Sequence, residues 1–173
     1  MNKSLDKVLE RLKNYYNELI NFDPVSLGKS EVLENLPIGE AVYVIYDGNK
    51  KPQYVGTTGD LERRINEDLF QNLLPPSQRA RGRRTGHTFS SKLLRKELEK
   101  KIGKHFKSKE FDFGDEETCK IPEVVESAEE VRKLLETYFL QYFEIPKEES
   151  DIPRISKLLE RLVIMILKPP YND

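Results

Sequence analysis

Two tyrosines, Tyr43 and Tyr54, stand eleven residues apart on either side of the turn-forming Asp47-Gly48-Asn49. If the flanking segments pair as a hairpin, both phenols reach one face, and Gly56 beyond Tyr54 leaves room there for something bulky. Tyrosine also suits strands for packing reasons alone, so a pair of core tyrosines is the plainer reading. Arg64 follows on a helix opening at Asp60. It lies about 60° from Leu61, at the edge of the buried face, whereas Arg63 points roughly away from that face into water. Arg64 is then either poised over the sheet or an ordinary solvated charge. Glu160 heads an apolar run from Leu162 to Leu167. A carboxylate at the head of a buried stripe needs a counter-charge, which a hard divalent cation or a nearby Lys or Arg would supply.

The elements that must position these groups are legible from periodicity. Leu5, Val8, Leu9, Leu12, Tyr16 and Leu19 recur at helical spacing behind the N-cap candidate Ser4, and Phe22-Asp23-Pro24 ends that helix. A short helical piece over 31–36 follows. Residues 41–47 (AVYVIYD) and 53–57 (QYVGT) read as an antiparallel hairpin. Asp60 caps a helix with Leu61, Ile65 and Leu69 on one face. Residues 74–86 read as a loop. Phe89, Leu93, Leu94, Leu98 and Ile102 mark the next helix, and Ser127 with Glu130 predicts a capping box opening another. Residues 139–145 (FLQYFEI) predict a third strand. Asp151 and Pro153 open a last helix that Lys168-Pro169-Pro170 stops near Leu167. The expected class is α+β: a small three-stranded antiparallel sheet flanked by helices, with an extra N-terminal helix. The expected organisation is a helical extension over 1–38 and a domain over 39–173 carrying a basic insertion around 74–105.

Net charge is −1, so overall electrostatics do not announce a polyanion binder. The charges are nevertheless segregated. Arg79, Arg81, Arg83 and Arg84 crowd one loop and are followed by Lys92, Arg95 and Lys96, while acidic residues gather at 115–117, 123–130 and 148–151. Local positive potential suffices for phosphate contact, so the basic run is a candidate DNA-backbone surface, against the alternative of solvated charge. The single cysteine, Cys119, excludes an intramolecular disulfide and reads as filler in a reducing cytoplasm. No apolar run has the length of a membrane span, and Met1 leads directly into charged sequence, so a cytoplasmic location is expected.

In chain order, Ala41-Val42-Tyr43, Tyr54-Val55-Gly56, Arg64, Glu160 and Pro170-Tyr171-Asn172 resemble the motifs of the GIY-YIG nuclease superfamily. The separation of the two triads, the arginine ten residues after Tyr54 and the spacing from Glu160 to Asn172 all match. The last of these is similar to the excision-repair incision nuclease domain. The resemblance covers residues 39–172, loosely over 74–126. It implies a divalent-metal-dependent DNA endonuclease that hydrolyses phosphodiesters in one step, with Glu160 as the sole protein ligand of Mg²⁺ or Mn²⁺. It implies Tyr43 as the group deprotonating the attacking water, Tyr54 as its positioning neighbour, Arg64 as the neutraliser of phosphate charge and Asn172 as an anchor. Gly56 would permit close substrate approach. A free phenol ionises near pH ~10, so either tyrosine needs a nearby cation to act as a base.

Two positions depart from the pattern. Ala41 replaces the glycine of the first triad. Asp68 stands one turn after Arg64, where many members carry His or Tyr, and at that spacing it either orients the guanidinium or blunts its charge. His87, at the loop-to-helix junction, is a candidate for the missing role, against the reading of a solvated loop histidine. His105 has no supporting neighbours. The implied function is a restriction or defence-type enzyme. The alternatives are a partner-targeted repair or homing-type nickase, and a nucleic-acid-binding module whose catalysis has decayed. Cutting both strands calls for two visits or a homodimer, for which the N-terminal helix is a candidate contact.

Overall fold

The computed structural model describes residues 3–78, 89–105, 115–147 and 154–172. The class is α+β, and the chain divides into two compact units, Met1–Glu62 with Thr137–Asp173, and Arg63–Glu136. None of the helices among the described residues is long and apolar enough to cross a membrane.

The first unit is built on the hairpin. Strand β2 (Ala41–Tyr46) is followed by β3 (Pro52–Thr58), and the pairing runs from Ala41 opposite Thr58 to Ile45 opposite Tyr54. The turn closes because Asp47 Oδ1 accepts hydrogen bonds from the Asn49 and Lys51 amides, both at 2.9 Å, with Lys50 left-handed at φ 58°. Strand β4 (Phe139–Glu144) pairs antiparallel with the other side of β2. Outside it lies a strand not expected from the sequence, β1 (Val25–Ser26), followed by a single helical turn, α2 (Ser30–Leu33), where a piece over 31–36 is expected. The sheet is therefore four-stranded, in the order β1-β4-β2-β3, rather than three-stranded. Two residues behind Pro24 are too short to show alternation, which is why β1 carries no periodic signal.

Alternation along β2 divides the sheet chemically. Val42 and Val44, with Val55 of β3, point to one face. They pack there against Leu12, Tyr15 and Leu19 of α1 (Lys3–Asn21) and Ile155, Leu159 and Val163 of α6 (Ile155–Leu167). Leu19, Leu159 and Val163 are fully buried, worth about 2 kcal/mol each in apolar transfer. The N-terminal helix thus belongs to the core of this unit, and the two-unit division does not follow the boundary expected at residue 38. Only its C-terminal half is buried. Leu5 and Leu9, expected on the packed stripe, are 53% and 55% exposed.

A polar knot fastens the end of α1 to the sheet. Gln141 of β4, 4% exposed, donates from Nε2 to the carbonyls of Ile20 and Phe22, and its Oε1 accepts the Tyr46 hydroxyl at 2.6 Å. Both polar atoms of the Gln141 side chain thereby have partners, the condition for a polar group to sit in a core without penalty.

The second unit opens with an irregular turn. The sequence predicts a regular helix from Asp60, yet only Leu61–Arg63 is α-helical (α3), and Arg64–Phe70 is a π-helix followed by a 3₁₀ turn at Gln71–Leu73. Leu61, Ile65, Leu69 and Leu73 are all buried at a strict spacing of four. A four-residue repeat overshoots an α-helical turn by about 40° each time, so widening the coil to i→i+5 bonds offsets the drift. Helix α4 (Phe89–Ile102) buries Leu93, Leu94 and Leu98, as expected, but Ile102 is 44% exposed. Helix α5 (Pro122–Glu136) begins five residues before the predicted capping box. Pro122 occupies the first helical position, and Ser127 is buried in mid-helix. Lys101 of α4 bridges Glu126 and Glu130 of α5 at 3.0 and 2.9 Å. Cys119 is a buried free thiol lining an apolar cavity with Leu94 and Val124, in keeping with a filler role.

Burial, with the neighbouring Tyr16, raises the Tyr46 phenol above its ordinary value near 10. The folded state therefore holds the Tyr46 proton more tightly than the unfolded chain, and the hydroxyl's contribution is intact below pH ~10 and lost as pH rises through the folded value. Tyr46→Phe is expected to cost about 1 kcal/mol in denaturant unfolding at neutral pH, by orphaning Gln141 Oε1. The gap from wild type should narrow above pH ~10, and a constant gap across the alkaline range would contradict this.

Candidate active site

Both tyrosines project from the sheet face opposite Val42 and Val44. Tyr43 pairs across the ladder with Gly56 and Ile45 with Tyr54, so the phenols are diagonal neighbours, with ring centroids 6.2 Å apart and planes tilted by 46°. Gly56 does not leave an open space. A Cβ built there would lie 2.6 Å from Tyr43 Cζ and hydroxyl and 2.9 Å from Tyr54 Cε1. The glycine is a seat for the two rings, and the room expected for a bulky group is filled by Tyr43 itself. Tyr43 is 3% exposed, whereas Tyr54 is partly exposed.

Asn172 joins the C-terminal segment to this hairpin. Its Oδ1 accepts the Val55 amide and its Nδ2 donates to the Val55 carbonyl, both at 2.7 Å. The Tyr171 amide donates to the Gln53 carbonyl at 3.2 Å. Strand β3 is the sheet edge, and Val55 presents its backbone groups outward, so the Asn172 amide completes a ladder that no strand continues. The segment reaches this place because α6 ends at Lys168, left-handed at φ 47°, whose amide bonds to the Ile164 carbonyl at 2.8 Å. Pro169 and Pro170 then forbid further helix.

Glu160 lies on α6, on the other side of the sheet from the tyrosines, at the margin of the face carrying Ile155, Leu159 and Val163. Its side chain is 16% exposed. Lys157 donates to Oε2 at 2.9 Å, and Oε1 has no protein partner among the described residues. Lys157 is 55% exposed, and an i,i+3 pair of this kind contributes roughly 0.2–0.5 kcal/mol. The bridge is too weak to bar a divalent cation. Among the described residues no group of three or more His, Cys, Asp or Glu gathers as a metal cage. A single reachable carboxylate with an open oxygen fits an ion that keeps most of its ligands as water and phosphate, and does not fit a fully protein-bound one.

Arg64 is half-buried and stands first in the π-helical turn of the second unit. Arg63, expected in water, is also half-buried, with Nη1 shielded from solvent, because the coil that follows is not the regular helix from which its direction was read. The Asp68 backbone lies within the same turn. Its side chain falls outside the described residues, as do Arg79, Arg81, Arg83, Arg84 and His87. Of the remaining basic candidates, Lys92 and Arg95 are half-buried and Lys96 is exposed, and all three are engaged with neighbouring groups. His105 is 84% exposed and pairs with Glu99 at 2.9 Å. The sequence reading missed Lys157 as the particular neighbour of Glu160, although its spacing of three made it legible.

No protein-family model matches this chain, and neither a curated protein nor a solved structure matches it.

The seat at Gly56 sets an expectation for substitution. Gly56→Ala forces the buried Tyr43 ring off its position and is expected to destabilise the fold by about 1–3 kcal/mol, read by thermal or denaturant unfolding. A neutral change would mean that the rings are not held against the glycine.

Proposed function

We propose that this chain is a divalent-metal-dependent DNA endonuclease of the GIY-YIG type, acting in restriction or defence. The observation that carries the reading is the clamp between Asn172 and Val55. The second triad and the C-terminal triad, 117 residues apart, meet there through two hydrogen bonds, with Asn172 held on Val55 between Tyr54 and Gly56. The open Oε1 of Glu160 and the contact of the two phenols over Gly56 lend further support.

In this reading Glu160 holds Mg²⁺ or Mn²⁺, which when bound neutralises charge on the scissile phosphate. Because Tyr43 is buried, the more exposed Tyr54 takes over the role that the resemblance gives to Tyr43: it meets the attacking water and accepts its proton, while Tyr43 packs behind it to fix its position. For Arg64, which belongs to the second unit, the reading keeps only the role that its place in the motif order implies, charge balance by a planar guanidinium. Asn172 keeps the Tyr54–Gly56 backbone rigid while these groups act. Water attacks phosphorus directly, one P–O bond forms as another breaks, and no covalent enzyme intermediate arises.

A second reading has one observation in its favour. The ion pair from Lys157 to Glu160 is what a decayed, nucleic-acid-binding descendant would show. Supercoiled plasmid with Mg²⁺ or Mn²⁺ separates the two. Wild type is expected to nick or cut, and Glu160→Ala to reduce the rate at least about 100-fold with the fold intact. Discrete fragments indicate a restriction enzyme, whereas nicks alone indicate the partner-targeted alternative. Intact plasmid with every metal would leave the binding module as the correct reading.

A further inference from the structure

The first unit carries exposed cations of its own that lie outside the sequence motifs. A cleft of about 850 Å³ opens between the end of β3 and the first turns of α6, lined in part by Thr57, Glu40, Ser156, Arg154, Lys157 and Arg161. Arg154, left-handed at the N-cap of α6, and Lys157 and Arg161, spaced by four within the helix, are all exposed and line this cleft. Neither Arg154 nor Arg161 has an ion-pair partner among the described residues. Among the described lining residues Glu40 is the one carboxylate, and it accepts the Ser156 hydroxyl. The described lining thus carries three cationic side chains against one carboxylate in a chain whose net charge is −1.

The spacing suits a linear polyanion. From the N-cap at Arg154 to Arg161 the helix rises by roughly 10 Å, farther than one phosphate lies from the next along a strand, so the two guanidiniums can meet different phosphates. The volume is far more than one phosphate ion needs. Lys157 also touches Glu160, so the cleft borders the carboxylate assigned above to the metal.

We propose that this cleft binds the sugar-phosphate backbone of the DNA strand, with Arg154 and Arg161 as its principal phosphate contacts. The proposal rests on the nuclease reading for the identity of the polyanion and extends it to residues that the sequence motifs do not include. The cleft grips phosphates without regard to base sequence and delivers the strand to the side of α6 that carries Glu160.

The test is equilibrium binding of a fluorescent duplex oligonucleotide, in EDTA to block turnover, as a function of salt. Arg154→Gln with Arg161→Gln is compared with wild type and with Lys13→Gln plus Lys29→Gln, which removes the same charge from exposed sites elsewhere in the unit. The expected result is at least about a tenfold loss of affinity for the cleft pair, with the log–log salt slope reduced by nearly two, and little change for the control pair. Equal losses for both pairs, an unchanged slope, or no binding by wild type would overturn the proposal. So would preferential binding of phosphatidylserine vesicles over the duplex. Arg154- and Arg161-dependent binding without plasmid cleavage by wild type would leave the cleft standing and remove the catalytic reading. Cleavage that ignores both arginines would do the reverse.

Discussion

Strand β2 is buried on both faces, and that one constraint organises everything around it. A strand presents successive side chains to opposite sides, so Val42 and Val44 must face α1 and α6 while Tyr43 and Ile45 face away. Shifting the register by one residue would exchange a phenol for a valine in each layer, which is why the hairpin turn is so firmly tied by Asp47. The same alternation separates the chemical groups. The tyrosines leave the sheet on one side, and the helix carrying Glu160 covers the other. The boundary between the two sides is the exposed edge of β3, where Asn172 is fastened.

This arrangement gives the C-terminal segment a mechanical meaning. An edge strand with open backbone groups invites pairing with another chain. Here a side-chain amide and one backbone amide occupy positions that a further strand would take, and they do so next to Gly56, where the two phenols are seated. Stability of the edge and alignment of the phenols are thus the same structural fact. In the proposed reading, an arrangement built across the sheet edge would use backbone rigidity for positioning and leave the adjoining cleft to a long substrate.

The hairpin was the most legible part of the chain because β-branched and aromatic residues flank an Asp-Gly-Asn turn. The strand at 139–145 and the body of the last helix followed from equally plain patterns, but that helix starts at Ile155 behind left-handed Arg154, and the expected opening at Asp151 and Pro153 lies outside the described residues. What escaped was non-periodic or tertiary in origin. Val25–Ser26 pairs with β4 because the chain passes there, not because its residues demand it. Ser127 and Glu130 make a good capping signal, but the earlier Pro122 took the helix start. Leu61, Ile65, Leu69 and Leu73 hinted at something other than a plain α-helix through their spacing of four, and the π-helical turn is the result. In the candidate site, residue identities came from sequence order. The filled space over Gly56, the Val55 clamp and the Lys157 contact required three dimensions.

The central claim is that groups on the two sides of the sheet act as one metal-dependent site around the β3 edge. Titration of isotope-labelled protein with Mn²⁺, followed by nuclear magnetic resonance, tests it directly, because a bound paramagnetic ion broadens only nearby signals. The expected result is selective broadening of the Asn172 side-chain amide and the Val55 and Gly56 backbone amides, abolished by Glu160→Gln. Broadening that spares the β3 edge, or that persists without the Glu160 carboxylate, would contradict the account.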